Sequence, residues 1–191
     1  MIRDFIIKNR SYRRFDPAGK LDEQTLRELV DLARLSGSAA NRQPLHYILS
    51  WQPERNARIF EHLAWAGYLE DWPGPAQGER PTGYIIVLGD TRISKKIDCD
   101  HGIACQSILL GAVEKGFGGC MVGSINRDGL RESLNIPSEY KILLVVALGK
   151  PSEEVVIEEA GEDSDLKYWR DENDVHHVPK RKLEDVILDV R

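Results

Sequence analysis

No stretch of this chain approaches the roughly 18 consecutive apolar residues that a bilayer-crossing helix needs, so a membrane protein is not expected. Cysteine is sparse. Cys99, Cys105 and Cys120 make 3, an odd number in a chain of 191 residues, which is long enough to fold without covalent staples. A reducing cytoplasm is the simplest setting for such a chain. Positive charge is also short: 26 basic against 31 acidic residues argues against a nucleic-acid binder, which ordinarily carries a basic surplus. The 16 glycines and 9 prolines are ordinary usage, which excludes collagen-like and low-complexity classes. The first residues, Met1-Ile2-Arg3-Asp4, bring charge too early for a secretory leader.

Familiar catalytic signatures are missing too. There is no G-x-S-x-G, no P-loop and no H-E-x-x-H, so hydrolase and NTPase readings lack a nucleophile or a phosphate cradle. If the chain is an enzyme, its reactive atom belongs to a cofactor. The glycine cluster Gly116-Phe117-Gly118-Gly119-Cys120-Met121-Val122-Gly123 is not a dinucleotide-binding loop. Its spacing is not G-x-G-x-x-G, and it follows a helix and precedes a strand, the reverse of that fingerprint. The glycines either turn backbone N–H groups toward a flat ligand or simply join two packed elements. Cys99, His101 and Cys105, with Asp98 and Asp100, match no standard zinc spacing, and no metal is expected there or at His176-His177.

What is present suits one α+β domain. At 41% hydrophobic and 30% charged, the chain can fill a core. Residues 22–35 place Leu26, Leu29, Val30 and Ala33 on one helical stripe behind a candidate N-cap, Asp22. A small-residue turn over 36–44 leads to a strand over 46–51. Residues 84–88 and 142–148 are continuous apolar runs, as in strands buried on both faces. Between them, 103–113 is apolar nearly all round and reads as a buried central helix ending at Lys115-Gly116. A strand over 119–125 and a short helix from Asn126 to near Pro137 follow. A central mixed sheet flanked by helices is the expected architecture. From Glu153 on, acidic pairs such as Glu158-Glu159 and Glu162-Asp163 give way to Trp169 and the apolar Val186, Ile187, Leu188 and Val190. That tail reads as an arm docking on something else, with a solvated tail as the plain alternative.

Two clusters carry candidate binding chemistry. Arg10, Ser11, Tyr12, Arg13 and Arg14 gather guanidinium forks and a hydroxyl in an acidic protein, which suits phosphate oxygens but also suits a solvated turn. Ser38, Ala39, Asn41 and Gln43 sit among small residues, where amide side chains can match the alternating donors and acceptors of a planar heterocycle, or merely face water. Trp65, Tyr68 and Trp72 are spaced 3 and 4 apart and would form one wall of a substrate slot if that stretch is helical; core packing is the alternative. The loop over 73–78 is a candidate lid.

Taken in order, the blocks Arg10-Ser11-Tyr12-Arg13-Arg14-Phe15, Ser38 to Pro44, Asp98 to Leu110, Gly116 to Ser124, and Leu148-Gly149-Lys150-Pro151 resemble the FMN-dependent nitroreductase family over nearly the whole chain. The resemblance implies a single domain over residues 1–191, in an intertwined homodimer whose C-terminal arm, from about residue 153, wraps the partner. It implies FMN as cofactor and NADH or NADPH as electron donor. It also implies two-electron hydride reduction of nitroaromatics, quinones or similar conjugated acceptors by a ping-pong mechanism. By the same resemblance, Arg10 and Ser11 grip the phosphate and ribityl chain, with Tyr12 beside them, and Arg13 lies near N1 and O2 of the ring. Ser38, Ala39, Asn41 and Gln43 reach the flavin bound mainly by the other subunit. Gly123 presents its N–H to N5, with Met121, Val122 and Ser124 along that side. Lys180 or Arg181 completes the phosphate site. The same scaffold also serves reductive dehalogenation and enone reduction, and a non-enzymatic flavin-holding protein is the rival of another class.

Overall fold

The computed structural model describes residues 1–161 and 165–190. Glu162-Asp163 of the expected acidic stretch, and Arg191 at the end of the expected arm, lie outside the described residues. The chain divides into two compact units, Met1–Trp65 with Gly74–Ser152, and Ala66–Pro73 with Glu153–Arg191.

The first unit carries α1 (Ile2–Lys8), β1 (Phe15–Asp16), α2 (Glu23–Leu35), β2 (Leu45–Ser50), α3 (Pro53–Phe60), β3 (Gly83–Asp90), α4 (Asp100–Glu114), β4 (Gly118–Val122), α5 (Arg127–Leu134) and β5 (Tyr140–Pro151). Its sheet runs β1-β5-β3-β2, with β4 also paired to β5. All four pairings are antiparallel, which corrects the expected mixed sheet. A parallel contact enters this unit only as the isolated bridge between Ser11 and Gly119. The apolar runs form strands buried on both faces as expected, and that burial arises here in an antiparallel sheet. Every residue of β3 is buried.

Ile85, Val87, Val146 and Leu148 pack against Leu26, Leu29 and Ala33 of α2 and Ala104, Cys105, Ile108, Leu109 and Ala112 of α4. Alternation along the strands turns Tyr84 and Ile86 to the opposite face. The expected α2 stripe is the buried one, and Asp22 caps the helix by accepting from the Thr25 N–H at 2.8 Å. Asn126 likewise accepts from the Gly129 N–H and opens α5. The central helix differs from expectation. It is buried on one side only, and Ile103 is 42% exposed, because a single chain supplies neighbours to one face of it.

The second unit is a mixed three-stranded sheet, β6 (Val155–Glu159), β8 (His176–Lys180) and β7 (Trp169–Arg170), in the order β6-β8-β7. β6 and β8 run parallel, and β7 runs antiparallel to β8.

Candidate functional site

Beyond α1 the chain turns along β4. Ser11 bridges Gly119, and the Tyr12 N–H donates to the Gly119 carbonyl at 3.0 Å. Glycine is required there, since a Cβ on residue 119 would stand 2.4 Å from the Ala147 carbonyl oxygen. This docking carries three arginines with it. Arg10 donates from Nη2 to the Ile6 carbonyl at 2.6 Å, while its buried Nε has no partner among the described residues. Burial pulls the Arg10 pKa below its ordinary value. Arg13 is 8% exposed and donates to the Ser11 carbonyl at 3.2 Å. Arg14 lies 3.6 Å from Glu79. Charged groups are seldom buried without a purpose, and the chemistry on offer is recognition of an anion.

The second cluster hangs on one carboxylate. Asp100, in the first turn of α4 and 4% exposed, accepts from Ser38 Oγ at 2.6 Å and from the Ala39 N–H at 3.1 Å. Ser38 Oγ in turn accepts from the Gln43 N–H at 2.9 Å, and Gln43 Nε2 donates to Asn41 Oδ1 at 3.1 Å. This network holds Ala40, Asn41 and Gln43 at φ near +51°, +51° and +50°. Left-handed backbone at non-glycine residues persists only where the surroundings enforce it, and it concentrates at binding sites. Beside the turn is a concavity of about 340 Å³ lined by Ser38, Gln43, His46, Tyr47 and Asp100. Burial pushes the Tyr47 phenol up to about 12, with Cys105 and Asp100 adding to it. The helix α4 connects both clusters, because Asn9 Nδ2 also donates to Gln106 on it at 3.4 Å.

The third part is the end of β4. Val122 is buried, Met121 half-buried, and Gly123 and Ser124 are exposed. A Cβ on Gly123 would meet only Leu144 Cδ2, at 3.7 Å, so that backbone faces open space. Arg127 pins it, donating to the carbonyls of Gly123 at 3.3 Å, Ile142 at 3.1 Å and Leu143 at 3.4 Å.

The expected aromatic wall is not helical. Residues 64–76 contain no helix, and Ala66 at φ +41° interrupts regular structure directly after Trp65. Trp65 packs instead on Phe60, ring centroids 5.8 Å apart, and against Gly74, whose φ of +109° lets its backbone approach the indole. Tyr68 and Trp72 belong to the second unit. There Tyr68 tilts against Tyr168 at 5.0 Å, and Trp72 lies 4.5 Å from the Arg170 guanidinium. Ring packing explains all three without a shared helix face. The loop over 73–78 also starts anchored, since Gly74 and Pro75 are buried. Lys180 and Arg181 are exposed in the second unit, the Lys180 carbonyl accepting from the Ala160 N–H and Arg181 donating to the Asp185 carbonyl. Cys105 is core, its thiol pushed up to about 12 by burial.

Asp100 and Arg127 are positioning residues that sequence reasoning passed over. In the sequence Asp100 stood only as an acid beside Cys99 and His101, ahead of the expected helix, and its partners lie more than sixty positions away in the chain.

A family model described as the nitroreductase family matches residues 6–150. A curated relative from Archaeoglobus fulgidus, provisionally named NADH dehydrogenase/NAD(P)H nitroreductase, is 28% identical over 143 residues, 71% of this chain and 77% of the relative. Among solved structures, a nitroreductase family protein from Streptococcus pneumoniae TIGR4 superposes with a TM-score of 0.71 at 15% identity, over all of both chains. An FMN-dependent nitroreductase from Clostridium difficile R20291 gives 0.65 at 22% identity, over 87% of this chain and 94% of that one. At such identities the two structures speak for the fold.

Proposed function

The chain belongs to the nitroreductase family, and from that premise we propose that it is an FMN-dependent NAD(P)H oxidoreductase. In this reading it passes two electrons, as hydride, to nitroaromatics, quinones or similar conjugated acceptors in a ping-pong sequence. The observation that carries the reading is the docking of Arg10, Ser11 and Arg13 along the Gly118–Val122 strand, with Arg10 Nε buried and unpartnered and Arg13 nearly wholly buried. These residues fit a flavin mononucleotide: an orphaned guanidinium N–H and an exposed serine suit its phosphate and ribityl oxygens. Arg13 suits the pyrimidine edge of the ring. When bound, the flavin supplies the centre that takes up and gives up hydride.

The chain's own part is to bind, orient and tune. At the pyrimidine edge, a fixed Arg13 charge favours the anionic over the neutral ring and raises the potential. Exposed Gly123, steadied by Arg127, offers its backbone N–H to N5, with Met121, Val122 and Ser124 beside it. Ser38 spends its hydroxyl on Asp100 and on the Gln43 N–H, so its role is to shape the turn that presents Ala39, Asn41 and Gln43 to the flavin of a second copy. Trp65, Tyr68 and Trp72 remain the proposed side of substrate entry, and Lys180 or Arg181 the proposed additional phosphate contact.

A homodimer is part of the same proposal. Ile2, Ile6 and Ile7 of α1 are exposed, as are Leu32 of α2 and Ile103 of α4, an apolar surface that a second copy would cover. Leu183, Val186, Ile187 and Leu188 of the arm are exposed too. Among the described residues no helix is long and apolar enough to cross a membrane. The cysteines, all free thiols, support a reducing cytoplasm.

The test is titration of the folded chain with FMN, followed by NAD(P)H consumption on adding a nitroaromatic or a quinone. A yellow protein that turns over supports the proposal. Flavin binding without NAD(P)H consumption identifies a flavin holder, and folded protein that refuses FMN overturns the reading altogether.

A further inference from the structure

The first unit holds another concavity, of about 450 Å³, where the chain enters β3. Tyr84 lines it from the sheet face opposite the α2–α4 core, and Leu21, Trp51 and Phe60 supply apolar walls. Two donors of this cavity have no partner among the described residues: the Tyr84 hydroxyl, in a side chain only 1% exposed, and the buried Nε of Arg80. The other buried polar side chain there, Asn56, is already engaged. It donates to the Thr82 carbonyl at 2.9 Å and accepts from Ser50 Oγ at 2.7 Å. Arg80 sits 3.9 Å above the Phe60 ring, and Lys20 adds a second positive charge at the lining, to which no acidic residue among the described residues contributes. Burial drives the Tyr84 phenol above its ordinary value, so its O–H stays protonated and remains a donor.

Buried donors left unmade are costly, and native structures seldom tolerate them. Two such donors in one apolar concavity, with positive charge unbalanced by any acid, call for an anionic acceptor on an apolar body. We propose that this cavity binds a small organic acid. Its carboxylate accepts from the Tyr84 O–H and the Arg80 Nε–H, and its aromatic or branched aliphatic part lies between Leu21, Trp51 and Phe60. The volume suits a molecule of that size. The site is independent of the proposed flavin site and carries no redox step.

Calorimetric titration of the full chain with phenylacetate, with and without saturating FMN, tests the assignment. Wild type is expected to bind the acid equally in both conditions and to bind phenylacetamide roughly tenfold more weakly, the amide lacking the charge. Tyr84→Phe and Arg80→Gln are each expected to weaken the acid about tenfold. Tyr84→Phe should leave the melting temperature unchanged or raise it, because it removes an unsatisfied buried hydroxyl. Ala57→Trp, on the exposed side of α3 at the cavity lining, should abolish binding without unfolding the chain. No binding by folded wild type, equal affinity for acid and amide, displacement by FMN, or full affinity in both Tyr84→Phe and Arg80→Gln would each overturn the proposal. A cavity that holds only water gives the first of these results.

Discussion

Asp100 is a buried carboxylate whose two oxygens are taken by a hydroxyl and a backbone N–H of the turn over 38–43. Removing it in Asp100→Ala leaves those donors unpaired and three left-handed residues unsupported. The expected cost is about 2 kcal/mol of unfolding free energy, read by urea denaturation. Asp100→Asn, which keeps one acceptor, should lose less. Arg13 is the other residue on which much depends. At an effective dielectric near 20, a charge pair about 4 Å apart is worth about 4 kcal/mol before desolvation costs. Since about 1.4 kcal/mol corresponds to 30 mV in a two-electron couple, Arg13→Ala is expected to lower the bound flavin's potential by several tens of millivolts. It should also slow reduction by NAD(P)H while retaining some FMN. An unchanged potential, measured by dye equilibration, sinks the tuning role. Arg13 could be picked out along the chain from its cluster, whereas Asp100 stood ahead of the expected helix with no role assigned to it. That Arg13 is buried, and that Asp100 holds the turn, depended on partners distant in sequence.

Helix α4 does two jobs, filling the core with Ile108, Leu109 and Cys105 and holding the Ser38 turn at its first residue. Ile108 is 0% exposed. Ile108→Ala is therefore expected to cost about 3 kcal/mol, the lost transfer energy plus the cavity left behind. The sheet β6-β8-β7 has a different dependence. The His177 ring stacks on Trp169 at 4.1 Å and lies 3.1 Å from Glu158 and 3.4 Å from Asp171. Burial alone would lower its pKa, but the hydrogen bonds to Asp171 and Glu158 outweigh that and hold it above 6.5. A group whose folded pKa is raised contributes stability that is complete below the unfolded value and fades as pH rises through the folded one. Amide protection in β8, taken relative to the intrinsic base-catalysed exchange rate at each pH, should therefore be greater at pH 6 than at pH 8. His177→Gln should remove most of that difference in protection, and equal protection factors in wild type at both pH values would contradict it.

At the scale of the whole molecule, the single chain leaves the outer side of α4 and all of α1 poorly covered, Ile103 included. If a second copy covers that surface, Ile103→Glu should yield a folded monomer that retains FMN poorly, with mass in solution read by light scattering. A wild-type monomer of full flavin content would refute the dimer. The sequence alone determined the kinds and places of most elements, because amphipathic periodicity, apolar runs and capping residues are local properties. α2 with its Asp22 cap, β3, β5 and α5 behind Asn126 all follow from neighbours within a few residues. The ordered motifs that carry the family likeness were legible for the same reason. Only the tertiary structure decided that the main sheet is antiparallel, that Trp65, Tyr68 and Trp72 share no helix, and that Tyr84 and Arg80 meet in one cavity. Those outcomes turn on which distant segments pair and which donors find partners. Such choices are made by packing and hydrogen-bond satisfaction in three dimensions and leave no periodic trace along the chain.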